Sequence, residues 1–394
     1  MTDTTTALGW RERHAQGLMA SYAPPLRLLV RGEGCWVWDD EGTRYLDFLG
    51  GIAVNSLGHA HPVVVEAASR QAALMVHVSN YFATPSQLEL AERLQRITGA
   101  GEGGRVYFAN SGAEANEAAF KLARRTGRPR ILALVNAFHG RTMGALALTG
   151  KPALQEPFLP MVPGVEHIES TVEALEAAIG DDVAALILEP IKGETGVVPL
   201  PEGYLRAARA ITERHGALLV VDEIQTGVGR TGAWFDFQHE GITPDAVTIA
   251  KGIAGGVPLG AMVTFGAASG LLQRGDHGST FGGNPLATTV ANAVLAEIED
   301  ADLIGNADRR GREIRAAVEA IGSPVVTEVR GRGLLIGIGT VEGAAPAIAT
   351  AALDAGLIVN AINPTSIRIA PPLIVGDAEV AAFAERFRAA LAAL

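Results

Sequence analysis

Two short stretches place complementary chemistry at the ends of apolar runs. Leu218-Leu219-Val220-Val221-Asp222-Glu223 ends in acid, and Thr248-Ile249-Ala250-Lys251-Gly252 carries an amine near its end. Runs of this kind read as buried strands, so both charged groups are expected at one rim of a sheet. A lysine amine condenses with an aldehyde to give an imine, and a desolvated acid keeps a pyridine nitrogen protonated. Pyridoxal 5′-phosphate needs both partners, because a protonated ring accepts electrons from a substrate carbanion. Only four lysines stand against 28 arginines, so few residues compete for the imine. Lys251 lies between an apolar run and the glycine-rich Gly255-Gly256-Val257-Pro258, which favours a buried amine. Lys121 falls within a helix, Lys151 follows a glycine turn, and Lys192 is expected in a loop.

The other requirements of such a cofactor also find candidates. Val106-Tyr107-Phe108-Ala109 runs into Asn110-Ser111-Gly112-Ala113-Glu114-Ala115 and an Ala-rich helix. Ser111 suits the N-cap, and Gly112 leaves backbone N–H groups open to a phosphate, although an ordinary capped helix has the same pattern. Gln225, three residues beyond Asp222, is placed to hydrogen-bond the phenolic oxygen of the cofactor. Phe138 can stack on a planar ring and Arg141 can grip a carboxylate with two parallel hydrogen bonds, while a core Phe beside a surface Arg is the bland alternative. Glu189 and Glu194 again put acids at a strand end. Ser279 and Thr280 open a polar loop suited to contacting phosphate. Arg368 alternates with Ile367 and Ile369 and so faces away from their apolar side, as a carboxylate clamp or an ordinary ion pair.

Other chemistries are poorly served. Gly227-Val228-Gly229-Arg230-Thr231-Gly232 matches the dinucleotide-binding pattern and leaves an NAD-dependent oxidoreductase as a remote reading. It follows the fourth or fifth strand, however, and no Ala/Val-rich helix comes after it. No Cys/His cluster has metal-ligand spacing, so no metal is expected, and no Gly-x-Ser-x-Gly elbow occurs. A net charge of −11 disfavours a nucleic-acid surface. The single cysteine, Cys35, excludes an internal disulfide and fits a reducing cytoplasm. Met1-Thr2-Asp3-Thr4 lacks a signal-peptide pattern, and no apolar run reaches the length of a membrane span. A soluble cytoplasmic protein is the expectation.

The elements that must position these residues follow from periodicity. Apolar strands at Arg105–Ala109, Arg130–Val135, Ala184–Glu189, Ala217–Asp222 and Ala246–Ile249 alternate with helices at Ala113–Arg125, Thr171–Ala178 and Tyr204–His215. That alternation predicts an α/β fold with a mostly parallel sheet covered on both faces, and ligands collect at the carboxyl ends of its strands. Gly34–Phe48 reads as a hairpin turning at Asp39-Asp40-Glu41-Gly42. After Pro285 a helix runs to about Asp300. Strands follow near Val325–Val329 and Leu334–Ile338, then a helix near Ala345–Ala355, strands at Leu357–Asn360 and Ser366–Ile369, and a terminal helix from Asp377. At 394 residues two joined domains are expected: a large domain over 51–289, and a smaller α+β domain from 1–50 with 290–394.

As an ordered set the motifs resemble the class III pyridoxal-phosphate-dependent aminotransferases, most closely the acetylornithine branch. The matching segments are Gly50–Asn55 with Gly58-His59, then Asn110–Asn116, Phe138–Thr142, Glu189-Pro190, Val221–Gln225, Ala250–Gly252 and Ser279–Pro285. Similarity runs from about Ser21 to the end. The resemblance implies the type I aminotransferase fold, pyridoxal 5′-phosphate as cofactor, and a homodimer with sites at its interface. It implies that Lys251 carries the imine, Asp222 pairs with the pyridinium and Phe138 stacks on the ring. Ser111 and Gly112 hold the phosphate with Ala113 beside them, helped by Thr280 of the other subunit. Arg141, with Ser279 nearby, binds the α-carboxylate of N2-acetylornithine. Arg368 binds that of glutamate or 2-oxoglutarate, and Glu194 is the gate that neutralises Arg368 when the other substrate enters. One departure from the ornithine aminotransferases is informative: they carry Tyr where this chain has Ile52. An apolar residue there fits an acylated donor, although 4-aminobutyrate aminotransferases also have Ile near this point. Donors within the same family, 4-aminobutyrate, ornithine or succinylornithine, are the nearest alternatives.

Overall fold

The computed structural model describes residues 9–394. Residues 1–8, read above as free of a leader pattern and as part of the smaller domain, lie outside the described residues. The central sheet has seven strands in the order Arg105–Ala109, Gly260–Thr264, Ala246–Ile249, Leu218–Asp222, Val183–Leu188, Arg130–Leu134, Val165–Ile168. Gly260–Thr264 is antiparallel to both neighbours, and the remaining pairs are parallel. Five of the seven match the predicted strands to within a residue or two. Gly260–Thr264 and Val165–Ile168 escape prediction, since the first opens on Gly and the second holds a central Glu166-His167 pair.

Side chains alternate across this sheet, and both faces are covered. Leu219, Val221, Val247, Ile249, Ala261 and Val263 pack into one core cluster. Val220, Ala246 and Met262 pack into another, with Ala118, Ala119 and Leu122 of the helix Gly112–Arg124. Burying each large aliphatic side chain contributes roughly 1.5–3 kcal/mol. Small residues on that helix let its backbone approach the sheet and fix where its amino end lies.

Two further sheets have four strands each. The predicted hairpin is present, with Trp36–Asp39 antiparallel to Arg44–Asp47, and Asp39 Oδ1 accepts from the N–H groups of Glu41 and Thr43 across the turn. Leu29–Glu33 extends it on one edge and Leu357–Ile358 on the other. Val326–Arg332, Leu335–Thr340, Ser366–Ile369 and Asn360–Asn363 form the second, antiparallel sheet. The expected strand Leu357–Asn360 is therefore two strands in different sheets, split at Val359. Lys192 is not in a loop, as expected, but in a buried two-residue strand, Ile191–Lys192, paired with Val198–Pro199.

Register decides the position of the site. Asp222 is paired with Thr248, so the strand that ends in the acid stops level with the one that leads to Lys251. On the far side, Ala109 is paired with Gly260, which brings the Ser111 turn to the same carboxyl rim. Among the described residues no helix is long and apolar enough to cross a membrane.

Candidate functional site

Lys251, Asp222, Ser111, Gly112, Ala113, Phe138, Gln225, Arg141 and Glu194 all line one cavity of about 400 Å³. Arg368 reaches it through hydrogen bonds to Glu194 and Gln225. Arg368, Ser279 and Thr280 are the three expected site residues outside that wall.

Asp222 is held from three directions. Its Oδ2 accepts from Asn116 Nδ2 and lies against His139 Nδ1, each at 2.7 Å, and its Oδ1 accepts from the Ile224 N–H at 3.0 Å. A carboxylate oxygen can accept two hydrogen bonds, so Oδ1 keeps capacity for a donor arriving from the cavity. Burial disfavours a charged His139, but its bond to Asp222 overrides that and raises its pKa above 6.5. Beside this cluster, burial pushes Glu189 up to about 7 with help from the Asp222 charge, against the opposing His139 charge and the hydrogen bonds it accepts from the Phe138 and Gly193 N–H groups.

Lys251 opens a short 3₁₀ turn, Lys251–Ala254, in the left-handed region at φ 44°. Such a conformation costs a non-glycine residue roughly 1–2 kcal/mol. Gly252 allows the close approach, because a Cβ there would come 2.5 Å from Ser56 Oγ. Burial brings the Lys251 amine down to about 8, and the nearby Arg368 charge acts in the same sense. A neutral amine is thereby accessible near neutral pH, as a nucleophile or a proton carrier requires.

At the other end of the cavity Ser111 is the N-cap of Gly112–Arg124, its Oγ accepting from the Glu114 N–H. Glu114 Oε2 accepts from both the N–H and Nδ2 of Asn110 at 2.8 Å, closing the turn. The turn leaves first-turn N–H groups at a positive helix end, an anion site. Asn110 Nδ2 also donates to Ser279 Oγ at 3.0 Å, so the Ser279 loop is tied to this end of the site while Thr280 stands exposed.

Two arginines occupy contrasting states. Arg141 is exposed at the mouth, its guanidinium 5.7 Å from the Phe138 ring centroid. Arg368 is 1% exposed. Its Nη1 donates to Glu194 Oε1 and to Gln225 Oε1, and its Nη2 to Asn360 Oδ1. Its Nε is buried with no acceptor among the described residues. Burial pushes Glu194 up, yet the Arg368 charge and hydrogen bond outweigh it and hold its pKa below the usual carboxylate value.

Sequence reasoning assigned no role to several of these residues. Asn116 carried a readable signal, a polar side chain among Ala115, Ala118 and Ala119 on the buried face of its helix. His139 and Glu189 gave none beyond their place in a motif, because their partners come from other strands. Gly227–Gly232 forms turns and is followed only by a short 3₁₀ helix, Asp236–Glu240, not by an α-helix, and Arg230 within it is buried against the Leu334 and Pro371 carbonyls. The dinucleotide reading of that segment fails.

An acid with spare acceptor capacity, a low-pKa lysine and a capped helix start around one apolar cavity fit pyridoxal phosphate, and no group of residues among those described fits a metal ion. The class-III aminotransferase family profile matches residues 18–391. The acetylornithine aminotransferase of Streptomyces coelicolor is 56% identical over 374 residues, covering 94% of this chain and 92% of that protein. That of Mycobacterium tuberculosis H37Rv is 52% identical over 381 residues, covering 96% and 95%. Among solved structures, the ornithine aminotransferase of Toxoplasma gondii ME49 superposes with a TM-score of 0.92 at 32% identity, covering 98% of this chain and 94% of that one. The N-acetylornithine aminotransferase of Stenotrophomonas maltophilia K279a gives 0.83 at 37% identity, covering 94% and 97%. The strand order, the cavity and these likenesses agree: the chain belongs to the class-III aminotransferase family.

Proposed function

We propose that the chain moves the δ-amino group of N2-acetylornithine onto 2-oxoglutarate, giving N-acetylglutamate 5-semialdehyde and glutamate. The observation that carries this reading is the pair of arginines about the Lys251 cavity, Arg141 open in its wall and Arg368 just behind it, covered by the wall residue Glu194. The donor has one carboxylate and the acceptor has two. With the gate closed, Arg141 takes the donor carboxylate by a bidentate pair. With Glu194 displaced, Arg368 takes the second carboxylate of the acceptor. The same donor fits Ile52, an apolar side chain suited to an acylated α-amino group.

Pyridoxal phosphate, when bound, supplies an electron sink for the substrate carbanion. Its phosphate is assigned to Ser111, Gly112 and Ala113, its ring face to Phe138, its phenolic oxygen to Gln225 and its ring nitrogen to Asp222 Oδ1. Lys251 Nζ is the base that takes the proton from the substrate carbon and returns it, an effect worth roughly 10²–10⁴-fold.

A homodimer completes the proposal. Leu74, Tyr81, Phe82 and Phe281 are 60% exposed or more, and Asn80 Nδ2 ties their segment to the Ser279 loop through the Ser279 and Gly282 carbonyls. Apolar surface gathered this way marks an interface, and Thr280 within it is assigned to the phosphate of the other subunit. We assign the large lobe to 51–289 and the small one to 1–50 with 290–394. The test is a donor screen with 2-oxoglutarate as acceptor. N2-acetylornithine should give the highest kcat/KM, and a preference for 4-aminobutyrate, free ornithine or succinylornithine would overturn the substrate assignment.

A further inference from the structure

Glu194 sits in a short turn, Gly193–Thr195, whose backbone is fastened by other elements. Lys151 Nζ donates to the Glu194 carbonyl. Thr195 Oγ1 donates to the Asn136 carbonyl, Asn363 Nδ2 to the Thr195 carbonyl, and Arg330 Nε to the Gly196 carbonyl. With the backbone pinned, the Glu194 carboxylate can leave Arg368 only by turning about its own side-chain bonds. A largely buried carboxylate stripped of its counter-charge is strongly disfavoured, so an open gate needs a second cation.

The cations acting on Glu194 are Arg368, Lys251 and Lys151. Lys251 is committed to the reaction. Lys151 is half-buried, spends one of its three donors on the Glu194 carbonyl, and has no carboxylate within ion-pairing distance among the described residues. Burial lowers its pKa, while the Glu194 and Glu189 charges act against that and the Arg368 and Arg141 charges with it; the amine therefore already feels the Glu194 charge without touching its carboxylate. Its position is fixed from behind. The Gly150 N–H donates to the Ala137 carbonyl, the Gly150 carbonyl accepts from the Asn136 N–H, and the helix Pro152–Gln155 starts immediately afterwards.

We propose that Lys151 is the second station of the gate: the Glu194 carboxylate pairs with Arg368 when the donor is bound, and with Lys151 when a dicarboxylate occupies Arg368 and Arg141. Every carboxylate then has a cation in both states. This inference rests on the gate reading of Glu194 and Arg368 given above.

Three variants of the holoenzyme test it: Lys151→Gln keeps a donor for the Glu194 carbonyl without the charge, Lys151→Met removes both, and Lys151→Arg restores the charge. Binding of glutarate, an unreactive dicarboxylate, is measured by calorimetry, and the N2-acetylornithine half-reaction by single-turnover absorbance. Lys151→Gln and Lys151→Met should each weaken glutarate by about tenfold, leave the donor half-reaction within about twofold, and be rescued by Lys151→Arg. Unchanged glutarate binding in Lys151→Gln would reduce Lys151 to a backbone pin, and parallel loss of both readouts would make it a fold residue; either result overturns the proposal. Glu194→Gln separates the two readings. It should tighten glutarate and abolish the effect of Lys151→Gln added to it. If Glu194→Gln leaves glutarate binding unaltered, the gate reading itself falls, and the Lys151 station with it.

Discussion

His139 Nδ1 lies 2.7 Å from Asp222 Oδ2, with the two side chains 0% and 3% exposed. Both residues belong to the wall of the cavity, and the ring nitrogen that His139 turns to Asp222 is the one that bears on the acid. Its helical neighbour Asn116 bridges both residues, donating to the His139 carbonyl and to Asp222 Oδ2. An acid whose orientation is fixed by three contacts needs no rearrangement when a further donor arrives from the cavity, as preorganised binding of the ring nitrogen proposed above requires.

The histidine makes a stability prediction with a definite sign. Its pKa is raised in the folded chain relative to 6.5, so its contribution is fully present below 6.5 and fades as pH rises through the folded value. His139→Phe, which keeps a ring but leaves Asp222 short of a donor, should cost about 1–3 kcal/mol at acidic pH. Urea unfolding across the range should show the wild-type advantage shrinking as the solution becomes alkaline. A difference that grows with pH would contradict the assignment.

Lys251 predicts a second pH dependence. Only the neutral amine attacks an aldehyde, and burial together with Arg368 sets this amine near 8. The rate at which the cofactor-free protein takes up pyridoxal phosphate covalently should therefore climb through about pH 8 and then level off. Lys251→Ala should still bind the cofactor reversibly, lose the borohydride-trapped product, and retain no more than about one part in 10² of turnover. Retention of more than a few per cent of activity would remove Lys251 from its assigned role.

Gly260 links the sheet to the Ser111 N-cap turn. A Cβ there would lie 2.3 Å from the Ser111 carbonyl oxygen and 2.8 Å from its carbon, both backbone atoms that cannot swing aside. Gly260→Ala should thus cost about 1–3 kcal/mol and displace the N-cap turn. Thermal unfolding should show the loss, and cofactor affinity should drop with it. Gly270→Ala, where an added Cβ meets nothing within 4 Å, is the matched control and should leave both readouts near wild type.

What could be read from the sequence, and what could not, divides along the range of the interactions. Asp222, Lys251 and Ser111 were legible because each ends or follows an apolar run or caps a helix, and those signals are local. The predicted helix Tyr204–His215 and strands Arg105–Ala109, Ala246–Ile249 and Ser366–Ile369 coincide with the observed elements for the same reason. Gly260–Thr264 was missed because a strand opening on Gly gains its place from its partners, not from its own propensity. The hold on Asp222 by Asn116 and His139 joins residues 106 and 83 positions apart, and no spacing rule anticipates it. Lys192 read as a loop residue because a strand of two residues has no period to detect.

The role proposed for Thr280 is the one that depends most on a second copy of the chain. It is exposed and lies outside the cavity wall formed by its own subunit, yet Ser279 beside it is bonded to Asn110 at the Ser111 turn. If Thr280 completes the phosphate site of the opposite subunit, Thr280→Asp sets a negative charge against that phosphate across the interface. Each homodimer of Thr280→Asp or of Lys251→Ala should then be nearly inactive. A mixed dimer, however, contains one site with an intact Lys251 facing an intact Thr280. Co-refolding the two variants, or co-expressing them with different tags, should therefore restore activity to about one working site per mixed dimer, because site composition and not subunit identity governs turnover. Failure of the mixture to exceed either parent, with mixed dimers demonstrated by the tags, would place Thr280 in its own subunit's chemistry or outside the site altogether.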